Sequence, residues 1–158
     1  MATIKMARVD YRMVHGQIVA KWIKFRPVDR LILVDDMLVD DDFMAEIYRM
    51  AVPDRPVDIC KMSDVQKTLD SSDDKVMLIF KTVEGAFTSI QSGLKLEELN
   101  VGAVQNNKDR KQVIQGVSLS NNEYEMLSKL RESGVDVFFQ PIPENDPVSL
   151  KSIEKKFK

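Results

Sequence analysis

"TIKMARVDYRMVHGQIVAKWIKF", residues 3–25, changes its period part-way along. Residues 3–9 are a short apolar-rich run of strand length. From residue 17 onward Ile18, Trp22 and Phe25 recur at helical spacing, with Val19 and Ile23 beside them. A strand, a short loop and a helix in succession open a βα unit. The same alternation continues through "RLILVD" (30–35), "VDICKM" (57–62), "KVMLIF" (75–80), "ELNVGAV" (98–104), "KQVIQ" (111–115) and "VDVFFQ" (135–140). Several of these runs are almost wholly apolar, as strands covered on both faces must be.

The segments between them carry helix signals. In 40–51, Phe43, Ile47 and Met50 recur at helical spacing, and Asp40, Asp41 and Asp42 stand in the first turn, where negative charge suits the helix dipole. "SDVQ" (63–66) and "SNNE" (120–123) have capping-box spacing, the second with Leu119 and Tyr124 placed as a hydrophobic staple. Gly134 fits a left-handed position closing that helix. Asp146-Pro147 fits an N-cap followed by proline at the first helical position. Strands alternating with helices over most of the length predict an α/β fold: a single domain, 1–158, built on an open, mostly parallel seven-stranded sheet with helices on both faces.

Composition narrows the functional classes. Of 158 residues, 44% are apolar and 30% charged, the balance of a soluble globular chain and not of a disordered one. A net charge of −2, with no basic run interleaved with aromatics, gives nucleic acid no groove to follow. No apolar stretch approaches the roughly 18 residues of a spanning helix. The first ten residues carry charges where a signal peptide would be apolar. One cysteine, Cys60, excludes an intrachain disulfide and a Cys-rich zinc site, and fits a reducing cytoplasm. It sits in an apolar run and is expected to be a small core hydrophobe.

His15 is the only histidine in the chain. It is expected on the loop at the carboxyl end of the first strand, where open α/β sheets place their ligands. The helix beginning near Gly16 or Gln17 would turn backbone N–H groups toward an anion, and Gly16 would let that anion approach the backbone. Arg12 could offer its planar fork to the same anion, and Asp10 could orient the imidazole or hold the arginine. These parts suit a neutral imidazole that takes up a phosphoryl group, because phosphoryl transfer is mostly positioning plus charge stabilisation. A merely solvated loop histidine is the plain alternative. Metal binding is disfavoured without a second His or a usable Cys, and a serine hydrolase lacks its G-x-S-x-G elbow.

"ARVDYRMVHGQIVAKW" closely resembles the signature of the IIB component of the mannose/fructose/sorbose family of bacterial sugar phosphotransferase systems. Arg8, Asp10, Arg12, His15, Gly16 and Gln17 fall at the family's fixed positions, and Tyr11 at a variable one. "RLILVDD" with "AVP" (51–53), "LEELNVGAVQNNKDRKQV", "VSLSNNE" and "GVDVFFQPIPENDPVSL" extend the resemblance over nearly the whole chain. One departure is Gly102-Ala103-Val104 where the family often has Gly-Gly-Met. The resemblance implies a cytoplasmic phosphotransferase without cofactor or metal, peripherally associated with membrane components. His15 would accept a phosphoryl group at Nδ1 from a phosphohistidine of a IIA partner and pass it to a sugar held by the IIC and IID components. Arg12 would stabilise the phosphoryl group, Asp10 would orient the ring, and Gly16 and Gln17 would bind the phosphate. Arg8, Asp35, Asp36 and Gly102 are expected around the pocket rim. The sugar and the oligomeric state stay open.

Two other classes remain at this point. "LVDDMLVDDD" (33–42) has an acidic pair, Asp35-Asp36, after a strand, which is similar to the magnesium pocket of a receiver domain phosphorylated on aspartate. That pattern asks for the pair after the first strand, whereas here it follows the second. The third class is a binding module with an inert histidine. Lys108, Arg110 and Lys111 form either a solvated turn or a docking patch for an acidic partner. "LKSIEKKFK" (150–158) is expected to be a helix packed by Ile153 and Phe157 rather than a membrane anchor. Trp22 is expected in the core, and Tyr11 and Met13 flank the active loop.

Overall fold

The computed structural model describes residues 1–158. β1 (Thr3–Asp10) leads through a loop to a helical segment whose middle, Ile18–Trp22, is π-helical and whose end, Ile23–Phe25, is α-helical (α1). There follow β2 (Arg30–Val34), α2 (Asp42–Ala51), β3 (Val57–Cys60), α3 (Val65–Asp70), β4 (Lys75–Phe80), α4 (Val83–Gln91) and β5 (Glu98–Ala103). β6 (Lys111–Ile114), β7 (Val117–Leu119), α5 (Asn121–Glu132), β8 (Asp136–Phe139) and β9 (Val148–Ser149) precede a closing 3₁₀ turn, Lys151–Lys156. The main sheet has seven strands in the order β3-β2-β4-β1-β5-β8-β9, all parallel except β9, which runs against β8.

β1 is central because its neighbours are supplied by opposite halves of the chain. It pairs with β4 on one side (Arg8 opposite Ile79) and β5 on the other (Arg8 opposite Asn100). The connection from β1 runs toward β2, whereas that from β4 runs the other way, to β5. This reversal leaves a crevice at the carboxyl end of β1, the usual ligand position in open α/β sheets.

The period-2 alternation of β1 divides its residues between two cores. Ala7 and Val9 join a cluster with Ile32, Val34, Leu78 and Phe80, covered by α3, α4 and α5. Met6 joins Leu31, Leu33, Met77 and Ile79 beneath Ile18, Trp22, Ile23 and Tyr48. Each Val, Leu, Ile, Phe or Met among them contributes about 1.5–3 kcal/mol on burial. Arg8 and Asp10 share the strand face of Met6, so this second layer carries charge at the carboxyl end of the strand.

Several local expectations are met. Ser120 and Glu123 form a reciprocal capping box, Gly134 has φ of +106°, and Phe157 stacks on Tyr124 at 4.6 Å between ring centroids. Others differ. The stretch 111–115 does form a strand, but it pairs with β7 in a separate two-stranded hairpin, and the seventh place in the main sheet goes to the two-residue β9. Pro147 therefore precedes an edge strand, where its missing N–H does no harm, and the last helical turn starts later. Ser63 does not cap α3. It lies within a 3₁₀ turn, Met62–Asp64, and Gln66 instead bonds Asp70. Phe25 leaves the core face of its helix and packs edge-on against Trp22 from the solvent side, because the π-helical turn shifts the register of the α-helical turn after it.

In α2 the structure makes a choice that periodicity leaves open. Two stripes on this helix satisfy the 3.6 period, 43/47/50 and 45/48/52. The helix buries Ala45 and Tyr48, with Val52 just beyond its end, against Leu38 and Val57, and leaves Phe43, Ile47 and Met50 facing solvent.

Candidate functional site

The loop after β1 is held by the strand's last residue. Asp10 is fully buried, and its Oδ1 accepts a hydrogen bond from the Arg12 backbone N–H at 3.0 Å, while the Met13 N–H donates to the Asp10 carbonyl at 3.0 Å. This tight turn places Met13 at φ of +57°, the one non-glycine residue with positive φ. For a side chain of that size the left-handed region costs about 1–2 kcal/mol. The turn hydrogen bonds and the burial of Met13 offset that cost. The backbone then becomes helical at Gly16, directly after His15.

His15 is turned back onto Asp10. Its Nε2 lies 2.7 Å from Asp10 Oδ2, and the side chain keeps 16% of its surface exposed. Burial works to raise the Asp10 carboxyl, but the hydrogen bond from His15 and the charge of Arg8 outweigh it, so the group lies below the ordinary carboxylate range. An ionised carboxylate only accepts hydrogen bonds, so Nε2 must carry the proton. The lone pair of neutral His15 is therefore on Nδ1, which has no hydrogen-bond partner.

Arg8 underlies this pair. Its guanidinium is fully buried and donates through Nε and Nη2 to Asp10 Oδ2 (3.3 Å each), through Nη1 to the Gln140 carbonyl (3.0 Å) and through Nη2 to the Pro141 carbonyl (2.9 Å). Burial pulls the Arg8 pKa below its usual value, against the opposing charge and hydrogen bonds of Asp10. Trp22 closes one side, its ring centroid 5.4 Å from the guanidinium carbon and its Nε1–H donating to the Pro141 carbonyl at 2.9 Å. Gly102 closes another: a Cβ there would stand 2.0 Å from Arg8 Cζ. Asn100 fixes the carbonyl acceptor by exchanging two 3.0 Å hydrogen bonds with the Gln140 backbone.

The site thus brings Asp10, Arg12, His15 and Gly16 together at the carboxyl end of β1. Arg12 keeps 40% of its side-chain surface in solvent and lies near Asp10 Oδ1 (3.5 Å) and beside the Tyr11 ring. Gln17 points toward a groove of about 490 Å³ that Pro141, Asn145 and Ile114 also line. Arg8 and Gly102 do not lie at the rim as expected. They are buried below it, because β1 and β5 run under the loop. Asp35 is buried and accepts from the Leu38 N–H, while Asp36 turns away to accept from the Met62 N–H at 2.8 Å, so the acidic pair diverges. Asn100, Gln140, Pro141 and the polar use of Trp22 were not foreseen. The "QPIP" stretch after the last parallel strand was the available signal.

Cys60 is buried among apolar neighbours, and burial pushes its thiol up to about 11. Of the three cations that form either a solvated turn or a docking patch, Lys108 is exposed and the other two have partners within the chain. Arg110 forms a two-pronged pair with Glu123 (2.9 Å each), and the Lys111 ammonium lies over the Phe157 ring.

A buried arginine–carboxylate pair beneath a partly exposed histidine at a sheet switch point leaves one ring nitrogen open for group transfer, and relatives identify the family. Residues 4–158 match the family described as "PTS system sorbose subfamily IIB component". Among curated proteins, the chain is similar to the PTS system sorbose-specific EIIB component of Lacticaseibacillus casei (29% identity, 98% of this chain and 97% of that one). It is also similar to the fructose-specific EIIB component of Bacillus subtilis (26% identity, 92% and 91%). It spans 49% of the length of the mannose-specific EIIAB component of Escherichia coli. Among solved structures, manxB of Thermoanaerobacter tengcongensis superposes with a TM-score of 0.91 at 34% identity over 99% of this chain and 98% of that one. The IIBSor domain of the Klebsiella pneumoniae sorbose permease shares the fold, with a TM-score of 0.90 at 22% identity over 99% and 98%. The chain belongs to the sorbose-type IIB family of phosphotransferase-system sugar carriers, whose members are phosphotransferases. No helix in it is long and apolar enough to cross a membrane.

Proposed function

We propose that this chain is one cytoplasmic IIB domain, 1–158, that carries a phosphoryl group on His15 Nδ1 between a IIA donor and a sugar bound to IIC and IID membrane components, with which it associates peripherally. The single observation that carries the reading is the 2.7 Å contact between His15 Nε2 and buried Asp10, which leaves Nδ1 as the ring's one free lone pair.

Nδ1 attacks the phosphorus of the donor's phosphohistidine, the donor N–P bond breaks, and the donor imidazole keeps the electron pair. Sharing the Nδ1 lone pair leaves positive charge on the His15 ring, which the Asp10 carboxylate opposes through Nε2–H. Arg12 would meet the incoming dianion with its fork, and the backbone N–H groups of Gly16 and Gln17 would add donors at the start of the helix. In the second step a sugar hydroxyl oxygen bonds to phosphorus, its proton passes to water, and the Nδ1–P bond breaks with its electron pair returning to Nδ1. The protonated ring is then a good leaving group. Arg8 and Gly102 act below the reacting atoms by holding Asp10.

The test is labelling. The chain is incubated with phosphoenolpyruvate, the general phosphocarrier proteins and its IIA, and the label is characterised chemically. An acid-labile, base-stable phosphate on a peptide containing His15 is expected. A base-labile acyl phosphate on Asp35 or Asp36, or no label, would reject the reading.

A further inference from the structure

The exposed stripe of α2 continues beyond the helix. Phe43, Ile47 and Met50 are 75%, 41% and 69% exposed, and Met37, in the preceding loop, is 80% exposed. These are four of the largest solvent-facing apolar side chains in the chain. Met37 and Phe43 line one depression of about 680 Å³ together with Met13 from the His15 loop. The stripe therefore borders the reactive loop. A contiguous apolar surface of this kind, bordered by polar residues, marks an interaction site, and unbranched methionines let it adapt to a partner.

Charge identifies the partner. Asp40, Asp41, Asp42 and Glu46 are all exposed beside the stripe, and none of them has an ion-pair partner. Lys81 is the one cation lining the depression. A second copy of this chain would bring two such acidic borders together, and anionic lipid would meet the same repulsion. The complementary surface has an apolar centre set among Lys and Arg. Cytoplasmic loops of integral membrane proteins carry an excess of those two residues. We infer that the Met37–Phe43–Ile47–Met50 stripe with its carboxylate border docks the chain onto basic cytoplasmic loops of the membrane-embedded sugar carrier. This inference rests on the phosphocarrier reading above, and it gives the membrane partner a surface separate from Asp10, Arg12 and His15.

The experiment uses the full chain and inverted membrane vesicles from cells that make its own sugar-transport system. Three proteins are compared: the parent, Phe43→Ser/Met50→Ser, and the charge reversal Asp40→Lys/Glu46→Lys. All four positions are solvent-facing, so the fold should persist, and far-ultraviolet circular dichroism checks this. Both variants should bind the vesicles and phosphorylate sugar at least tenfold less well than the parent, while labelling at His15 from IIA stays within twofold. Parental binding should also weaken as salt rises. Four results would overturn the inference: unchanged sugar phosphorylation by both variants, loss of labelling from IIA, a parental dimer in sedimentation that the variants dissolve, or equal parental binding to protein-free anionic vesicles. Vesicle binding is measured on unphosphorylated protein. Failure of His15 to label at all would thus defeat the phosphocarrier reading, while the binding comparison still decides the surface.

Discussion

Replacing Gly102 by alanine adds one methyl group, yet that carbon would stand 2.0 Å from Arg8 Cζ and 2.1 Å from Nη1. Normal carbon contacts lie near 3.5–4.0 Å, so the guanidinium has to move by more than an ångström. The end of an arginine is usually free to do so. Here it is fully buried, makes four hydrogen bonds, and is closed in by the Trp22 ring. Crowding a packed interior costs about 1–3 kcal/mol. Each lost hydrogen bond to a charged group costs about 1.5–3 kcal/mol. Loss of one such bond, with partial relief of the clash, puts the destabilisation at about 2–4 kcal/mol. For a chain of this size that corresponds to a fall in Tm of roughly 4–16 °C. The displaced Arg8 also frees Asp10, so phosphoryl acceptance by His15 should drop at least tenfold in protein that is still folded. Gly16→Ala is the control for the melting temperature alone, because a Cβ there meets nothing within 4 Å. Calorimetry and IIA-dependent labelling below the melting range give the two numbers. A Gly102→Ala protein that melts within 1 °C of the parent and labels normally would refute the chain of contacts from Gly102 through Arg8 to Asp10.

Three further outcomes are expected. The folded Asp10 pKa lies below the unfolded value of about 3.9, so its ionised form stabilises the fold at neutral pH, and this contribution is lost as pH falls from about 4 through the depressed folded value. Asp10→Asn should therefore cost about 3 kcal/mol at pH 7 by leaving Arg8 without its anion, and the gap to the parent should narrow in urea melts at pH 3; a gap independent of pH would show that Asp10 is neutral in the fold. Arg12→Lys should keep the parental melting temperature but slow phosphoryl acceptance about tenfold or more, since a point charge does not reproduce the fork; parental labelling rates would remove Arg12 from the mechanism. Ser120→Ala breaks the capping box of α5 and should cost about 1 kcal/mol, with labelling unchanged; an unshifted urea midpoint would contradict the cap's contribution.

The parallel sheet was legible because its strands are covered on both faces and so appear as continuous apolar runs, from "RLILV" to "KVMLIF". The position of His15 followed from one period change between residues 9 and 17. The substructure beneath it was not legible, because Arg8 meets Gln140 and Pro141 across more than 130 positions of sequence, and no local pattern encodes that contact. Gly102 stood in a strand run, where a glycine commonly signals close backbone approach, but its neighbour could not be named from sequence. The packed face of α2 was not legible for a different reason. Periodicity finds apolar stripes without saying which of two meets the sheet, and the smaller one, built on Ala45 and Tyr48, packs against it. The solvent-facing stripe is then apolar surface that this fold leaves unburied.

Phosphorus and nitrogen NMR of the phosphorylated, ¹⁵N-histidine-labelled chain tests the central geometry most directly, since it has only one histidine to assign. The Asp10–Nε2 contact requires the phosphoryl group on Nδ1, with Nε2 protonated. Phosphate bonded to Nε2 would mean that the nitrogen held here by the buried carboxylate is the reacting atom, and the account of how this site works would be wrong.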